Sequence, residues 1–266
     1  MRDRRSESGR LTPYELVFGS TKLAEDEFPT IAAEAERRGI EAGKRDRFAQ
    51  LESVAHLIGR LVPETAEMAA FDRYLDTLYH CFHFWRSGLQ LVTLEEALAR
   101  SLVEDPPDLS GWSPGARGGL YIELPRNLFW ADVIANDPPE PVEGMFVRTD
   151  RDGDRSVIEI LLVLGMRADR PGFSTAGLTV ELEELSGSEP DAFRSDIPGA
   201  DLAGLYSLGR PSEAVSLALA SLWYMERYPE AAERVEADAA AESSAVDVGP
   251  TSLDHVRLQL NERDRE

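Results

Sequence analysis

The stretch "EDPPDLSGWSPGARGG", residues 104–119, divides the chain into two parts with different periodicities. Proline fixes φ and carries no N–H donor, and a cluster of Pro, Gly and Ser breaks both helical and extended patterns. Before this stretch, apolar residues recur at the three-to-four spacing of a helix. After it they come in short blocks of β-branched and aromatic residues, the mark of strands. A chain divided in this way reads as α+β: an N-terminal helical bundle, then an antiparallel sheet of about five strands, then C-terminal helices.

In the helical part, "TPYELVF" places Thr12 at an N-cap, Pro13 at the first helical position and Glu15 at the third. The next segment runs from Ser20 to a stop at Gly39, with Pro29 kinking it or splitting it in two. "KRDRFAQLESVAHLIGRLV" repeats Phe48, Leu51, Val54, Ala55, Ile58 and Leu61 at helical spacing. Pro63 opens a long helix that Gly88 closes, and "TLEEALARSLV" has Thr93 as cap and Glu96 at its third position. Residues 1–10 are charged and featureless and read as a disordered N-terminus; 11–103 form the bundle and 104–119 a linker.

Five strand candidates follow: "GLYIELP", "LFWADVI", "GMFVRTD", "RSVIEILLVL" and "AGLTVELEEL". The polar "TDRDGDR" between the third and fourth predicts an antiparallel hairpin. Its alternating aspartates do not make an EF-hand, since Gly153 is fourth from Asp150 and the twelfth position is Leu161. A second loop region, "SGSEPDAFRSDIPGADLAG", ends the strands. Ser212 to Tyr228 predicts a helix, and Pro229 opens another. Residues 120–240 read as the α+β unit and 241–266 as a flexible tail, apart from a short "LDHVRLQL".

Composition narrows the functional classes. The chain has 28 Lys+Arg against 49 Asp+Glu, a net charge of −21. Residues 1–103 hold 14 of the bases and 17 of the acids, so residues 104–266 hold 14 and 32, a net −18. Phosphate backbones and anionic lipid surfaces repel such a chain, which argues against general nucleic-acid or membrane binding. No apolar run approaches the ~18 residues that span a bilayer. The charged start has no apolar segment behind it, which reads against a secretory leader. A single cysteine, Cys81, forms no internal disulfide and fits a reducing cytoplasm. Only Lys22 and Lys44 are lysines among the 28 bases, a skew that suggests a GC-rich bacterial genome, with salt adaptation as a second reading.

Reactive side chains concentrate in "FDRYLDTLYHCFHFW", residues 71–85, which holds Cys81 and two of the four histidines. At about 100° per residue, Phe71, Leu75, Leu78, Phe82 and Trp85 share one helical face as a core stripe, and Cys81 sits at its margin as a structural thiol. Asp72, Asp76, His80 and His83 fall on the shoulder beside it. A carboxylate and two imidazoles at Asp76, His80 and His83 are candidate metal ligands, to be completed from a second helix. That second helix is missing: no Glu-x-x-His occurs, and His56 stands alone. No metal or other cofactor is therefore expected, and Asp76 with His80 reads as an i,i+4 pair.

Arg73 and His80, with six residues between them, resemble the Arg-x(4–6)-His signature of HEPN-type ribonucleases, which are helical bundles. The resemblance covers these two residues on one helix. It implies Arg73 and His80 as catalytic residues at the scissile phosphate, with a dimer completing the site. Tyr74 stands where that signature has a polar residue, and the acidic chain is poorly suited to RNA.

The segment "LPRNLFWADVIANDPPEPVEGMFV" combines Pro125, Pro138, Pro139 and Pro141 with Phe129, Trp130, Met145 and Phe146. Prolines restrict a loop and can hold a shaped surface, and aromatics beside acids suit a basic or amphipathic partner. Arg126, Asn127, Trp130, Glu140 and Glu143 are the candidate binding residues, although Trp130 and Phe146 would serve equally as sheet core. There is no Gly-rich phosphate loop, nucleophile elbow or cysteine cluster. The leading reading is a non-catalytic cytoplasmic bacterial protein that binds a protein partner through its acidic second half. The alternative is an enzyme, a metal-dependent hydrolase or HEPN-like ribonuclease, using the Asp76/His80/His83 shoulder.

Overall fold

The alternation of a single strand explains the architecture. Among residues 140–152, Met145 and Val147 are buried in one apolar core while Phe146 between them is buried in another. Successive residues of a strand point to opposite faces, so both faces of this sheet are covered. The computed structural model describes residues 10–18, 23–41, 68–131, 139–152, 155–165, 173–182, 205–208, 211–236 and 253–261.

The strands are β1 (Gln90–Leu94), β2 (Arg117–Glu123), β3 (Phe129–Ala131), β4 (Glu140–Asp152), β5 (Arg155–Leu164), β6 (Ser174–Glu181), β7 (Tyr206–Ser207), β8 (Ala232–Val235) and β9 (His255–Leu258). Seven run in the order β6-β5-β4-β2-β1-β9-β8, and β3 branches from β4 and carries β7. β4 is antiparallel to β2 and β5, and β5 to β6, whereas β1 is parallel to both β2 and β9. The β4–β5 hairpin forms as expected, and all five predicted blocks contain strands. The expected all-antiparallel sheet of about five strands is corrected to a mixed sheet of nine among the described residues.

The helices are α1 (Pro13–Phe18), α2 (Leu23–Glu41), α3 (Met68–Arg86), α4 (Glu96–Glu104) and α5 (Pro211–Arg227). α1 begins with the predicted capping box: Glu15 N–H donates to Thr12 Oγ1 at 3.2 Å, and Thr12 N–H donates to Glu15 Oε2 at 2.8 Å. α2 runs through Pro29 as one helix. α3 ends where Gly88 takes φ +81, and Leu89 N–H reaches back to the Phe84 carbonyl at 2.9 Å, a Schellman closure.

These N-terminal helices do not form the expected bundle. α3 lies on the sheet; Tyr14 of α1 and Phe28 of α2 pack against its Phe82, Phe84 and Trp85, and Phe18 packs between Tyr14 and Phe28. α4 and α5 cover the other face. Gly119 permits this closeness, because a Cβ there would fall 2.7 Å from the α3 backbone at His83 and Phe84. α3 is buried on too many sides for a bundle stripe: Cys81, Phe82 and Phe84 are inaccessible, and Leu78, His80 and His83 are buried.

Three further expectations change. "QLVTL" is strand β1, so Thr93 is not a cap; α4 starts after Glu95, with no side-chain cap. The helix expected after Pro229 is a short 3-10 turn, Pro229–Ala231, leading into β8. Within the stretch read as a tail, His255–Leu258 is a strand between β1 and β8. The helix predicted around residues 44–62 and the second loop region lie outside the described residues. No helix among the described residues is long and apolar enough to cross a membrane.

Candidate functional site

Two places gather the predicted site residues: the interface between α3 and the sheet, and the turn from β2 to β4.

At the first, Arg148 of β4 is paired across the ladder with Glu159 of β5, and Asp150 lies two residues along on the same face. The Arg148 side chain is buried, 6% exposed, and donates to Asp150 Oδ2 at 2.8 Å, to Glu159 Oε2, and to the Tyr79 hydroxyl at 3.0 Å. Tyr79, on α3, closes the group from above and its hydroxyl lies 3.4 Å from Glu159. A charge can stay in such a place only because its donors are used.

His80 and His83 stand beside this group. The His83 ring meets Tyr79 edge-on at 4.6 Å, and the His80 ring lies 6.0 Å from Phe146. Burial, and after it the Arg148 guanidinium, push His80 down to about 3 and His83 down to about 2. Both rings are therefore neutral at pH 7, and the buried His83 Nε2 has no hydrogen-bond partner among the described residues. Cys81 is fully buried, and desolvation raises its thiol far above the ordinary value, so it is an inert core residue.

The shoulder of the helical wheel is thus split. His80 and His83 turn inward, while Asp76 is exposed and packs beside Gly177 of β6. Among the described residues no three His, Cys, Asp or Glu side chains converge as metal ligands, and Arg148 opposes a second cation near the imidazoles. Arg73 lies on α3 with its side chain outside the described residues, as does that of Asp72. His80, neutral and covered, is poorly placed as a general acid or base toward a phosphate.

At the second place, Arg126 and Asn127 are exposed in the turn before β3. Asn127 adopts φ +57, a left-handed conformation that asparagine tolerates well. Its carbonyl accepts the Trp130 indole N–H at 3.0 Å, which tethers that half-buried ring. Glu140 opens β4 opposite Ala131, with its carboxylate against Gly165. Glu143 is not part of an open rim. Arg10 bridges it to Glu123, donating to both carboxylates and to the carbonyls of Leu124 and Glu143, and the three side chains are only 11–13% exposed. Burial works against the Arg10 charge, but the two carboxylates outweigh it and raise its pKa. Sequence reasoning missed Arg10, because one arginine in a charged terminus carries no periodic signal. Asp132, Asp137 and Pro138 lie outside the described residues.

Around these places the acids exceed the bases. Arg117 pairs with Glu226 at 2.8 Å, Arg234 with Asp254 at 3.2 Å, and Arg257 with Glu233 at 3.8 Å. Glu96, which pairs with Arg100, and Asp105, Asp108, Glu230 and Glu236 are exposed.

No family model and no curated protein matches the chain. A solved structure entitled "Crystal structure of AcrVA2" aligns over 92% of this chain and 81% of that one, at 12% identity and a TM-score of 0.46. A likeness at that level carries no argument about function.

Proposed function

We propose that the chain is a non-catalytic, cytoplasmic bacterial interaction protein that binds a basic or amphipathic protein partner through its acidic second half. The observation that carries the reading is the net −18 of residues 104–266, in which Arg117, Arg148, Arg234 and Arg257 are already committed to internal ion pairs. The surplus carboxylates have no equivalent bases within this half to neutralise them, and surfaces of one sign steer partners of the other. Arg126, Asn127 and Trp130 form the rim that would add shape to this charge, with Glu140 at its side. The enzymatic alternative at Asp76, His80 and His83 has less support, since its two imidazoles are covered and neutral.

The test is affinity capture with the full chain at low and high salt. A partner with an excess of Lys and Arg should be retained at about 50 mM salt and lost above about 500 mM, where the Debye length falls below about 5 Å. Finding no salt-sensitive partner would overturn the proposal.

A further inference from the structure

Arg10 donates to one corner of the sheet from its backbone and from all three guanidinium nitrogens. Its N–H and Nε donate to the two oxygens of Glu123 at 2.9 and 2.8 Å, its Nη1 to Glu143, and its Nη2 to the carbonyls of Leu124 and Glu143. These acceptors lie 113 to 133 residues later in the chain, at the end of β2 and the start of β4. The sheet positions them itself: Leu124 N–H donates to the Glu143 carbonyl at 3.0 Å, and Glu123 stands opposite Gly144 in the ladder. A Cβ at Gly144 would fall 2.4 Å from the Tyr121 hydroxyl, so glycine leaves room for that ring beside the cradle. Acceptors in several directions suit the planar fork of a guanidinium, whereas an ammonium is a point charge.

What Arg10 fastens is the short segment 10–18. α1 has six residues, fewer than the ~12–15 that an isolated helix needs to persist in water, so it depends on what it touches. At its far end Tyr14 and Phe18 pack on Phe84 and Phe28, and Leu16 between them is exposed. At its start the contact is ionic, and opening it parts a cation from two carboxylates that stand side by side in a largely covered place. Short peripheral segments open at a lower free energy than core strands. The ion group is therefore the contact that sets how often this one opens.

We infer that Arg10 is a latch: it fastens residues 10–18 as a strap that opens as one unit without unfolding the sheet, and the fastening depends on the guanidinium fork and not on charge alone. Opening the strap bares Glu123 and Glu143 together with Phe84 and Phe28, against which Tyr14 and Phe18 rest. The two carboxylates belong to the acidic second half of the chain, so the strap sets how much of that charge is presented. The latch itself uses no partner and does not depend on the proposed function.

The experiment is hydrogen–deuterium exchange on the full chain, comparing the amides of Leu16 to Phe18 with those of the β4–β5 hairpin. The Leu16 N–H is bonded to the Thr12 carbonyl at 3.0 Å and so reports whether α1 is formed. In the native chain the α1 amides should exchange faster than the hairpin amides, since they need only the strap to open. Arg10→Lys and Arg10→Ala should each speed the α1 amides about ten-fold or more and leave the hairpin amides within about two-fold. Native α1 amides that exchange as slowly as the hairpin would overturn the separate strap, and this arm stands even if Arg10→Ala does not fold. Equal acceleration of both sets in Arg10→Lys would overturn it as well. Native-like exchange in Arg10→Lys would show that charge alone fastens the segment and overturn the role of the fork. Native-like exchange of α1 in Arg10→Ala would overturn the latch.

Discussion

The two faces of the sheet solve the same problem with different materials. Under α4 and α5 the sheet offers Val92, Ile122, Met145, Val147, Ile158 and Ile160, all inaccessible or nearly so. Its polar member, Thr149, is tied by its hydroxyl to the Gly115 carbonyl at 2.6 Å. Under α3 the same strands offer Phe146 and Leu161 but also Arg148, Asp150 and Glu159, with two neutral histidines above them. The first face is held by area and close packing, which any set of apolar residues of the right volume can approximate. The second is held in one arrangement, because each member of the ion group is satisfied only where Tyr79 and the two acids meet Arg148. Buried ions contribute little net stability against an apolar replacement, yet breaking the set is costly.

That contrast can be broken most sharply at Arg148. Arg148→Met leaves Asp150 and Glu159 without their cation and should destabilise the fold by about 3–5 kcal/mol. Ile160→Ala on the other face should cost about 2–5 kcal/mol through lost burial and a cavity. The discriminating measurement is denaturant unfolding of a triple variant, Arg148→Met with Asp150→Leu and Glu159→Leu. It should recover most of the first loss, whereas a second apolar truncation beside residue 160 should deepen the second. A triple variant no more stable than Arg148→Met would show that the ions contribute more than specificity.

Acid should act on the α3 face first. His80 and His83 bind protons more weakly in the folded chain than in the unfolded one, where a histidine titrates near 6.5. The unfolded state therefore gains protons first as the pH falls, and the stability these rings contribute is complete above about pH 6.5 and declines below it. By pH 5.5 the pair should have lost about 2–3 kcal/mol, before most carboxylates titrate. Unfolding midpoints measured at pH 7.5 and 5.5 would check this, and His83→Gln should flatten the slope. A slope unchanged by that substitution would remove the histidines as its source.

The smallest expected effect lies outside both faces. Thr12→Ala removes the hydroxyl that caps α1 and should cost about 1 kcal/mol, read as a small shift in the denaturation midpoint. Loss of several kcal/mol would mean that α1 helps to hold Arg10 against Glu123 and Glu143.

Where local chemistry decides, the sequence could be read. The Thr12–Glu15 box, the Gly88 stop and the hairpin of β4 with β5 each depend on residues within a few positions of one another. The fold was less legible where long-range pairing decides. β1 is a five-residue strand buried on both faces, so it shows an apolar run instead of alternation, and a Thr and two Glu beside it imitate a helix cap. β8 and β9 have four residues each and are strands because β9 pairs with β1 and β8 with β9. The polar shoulder of α3 was visible on the wheel, but which side of it met the sheet was not. His80 and His83 are inside because α3 turns that side toward the sheet, where His80 meets Phe146 of β4, and no helical pattern reports a contact between elements so far apart in sequence.

β9 pairs with β1 through Leu91↔His255 and lies inside the sheet, although it is formed near the C-terminal end of the chain. Contacts between residues so far apart in sequence carry a large loop-closure cost and slow folding. A chain emerging from the ribosome can form the β4–β5 hairpin early, but β8 must wait for β9 to join it to the rest. During that interval the side of β1 that β9 will cover is an open strand edge.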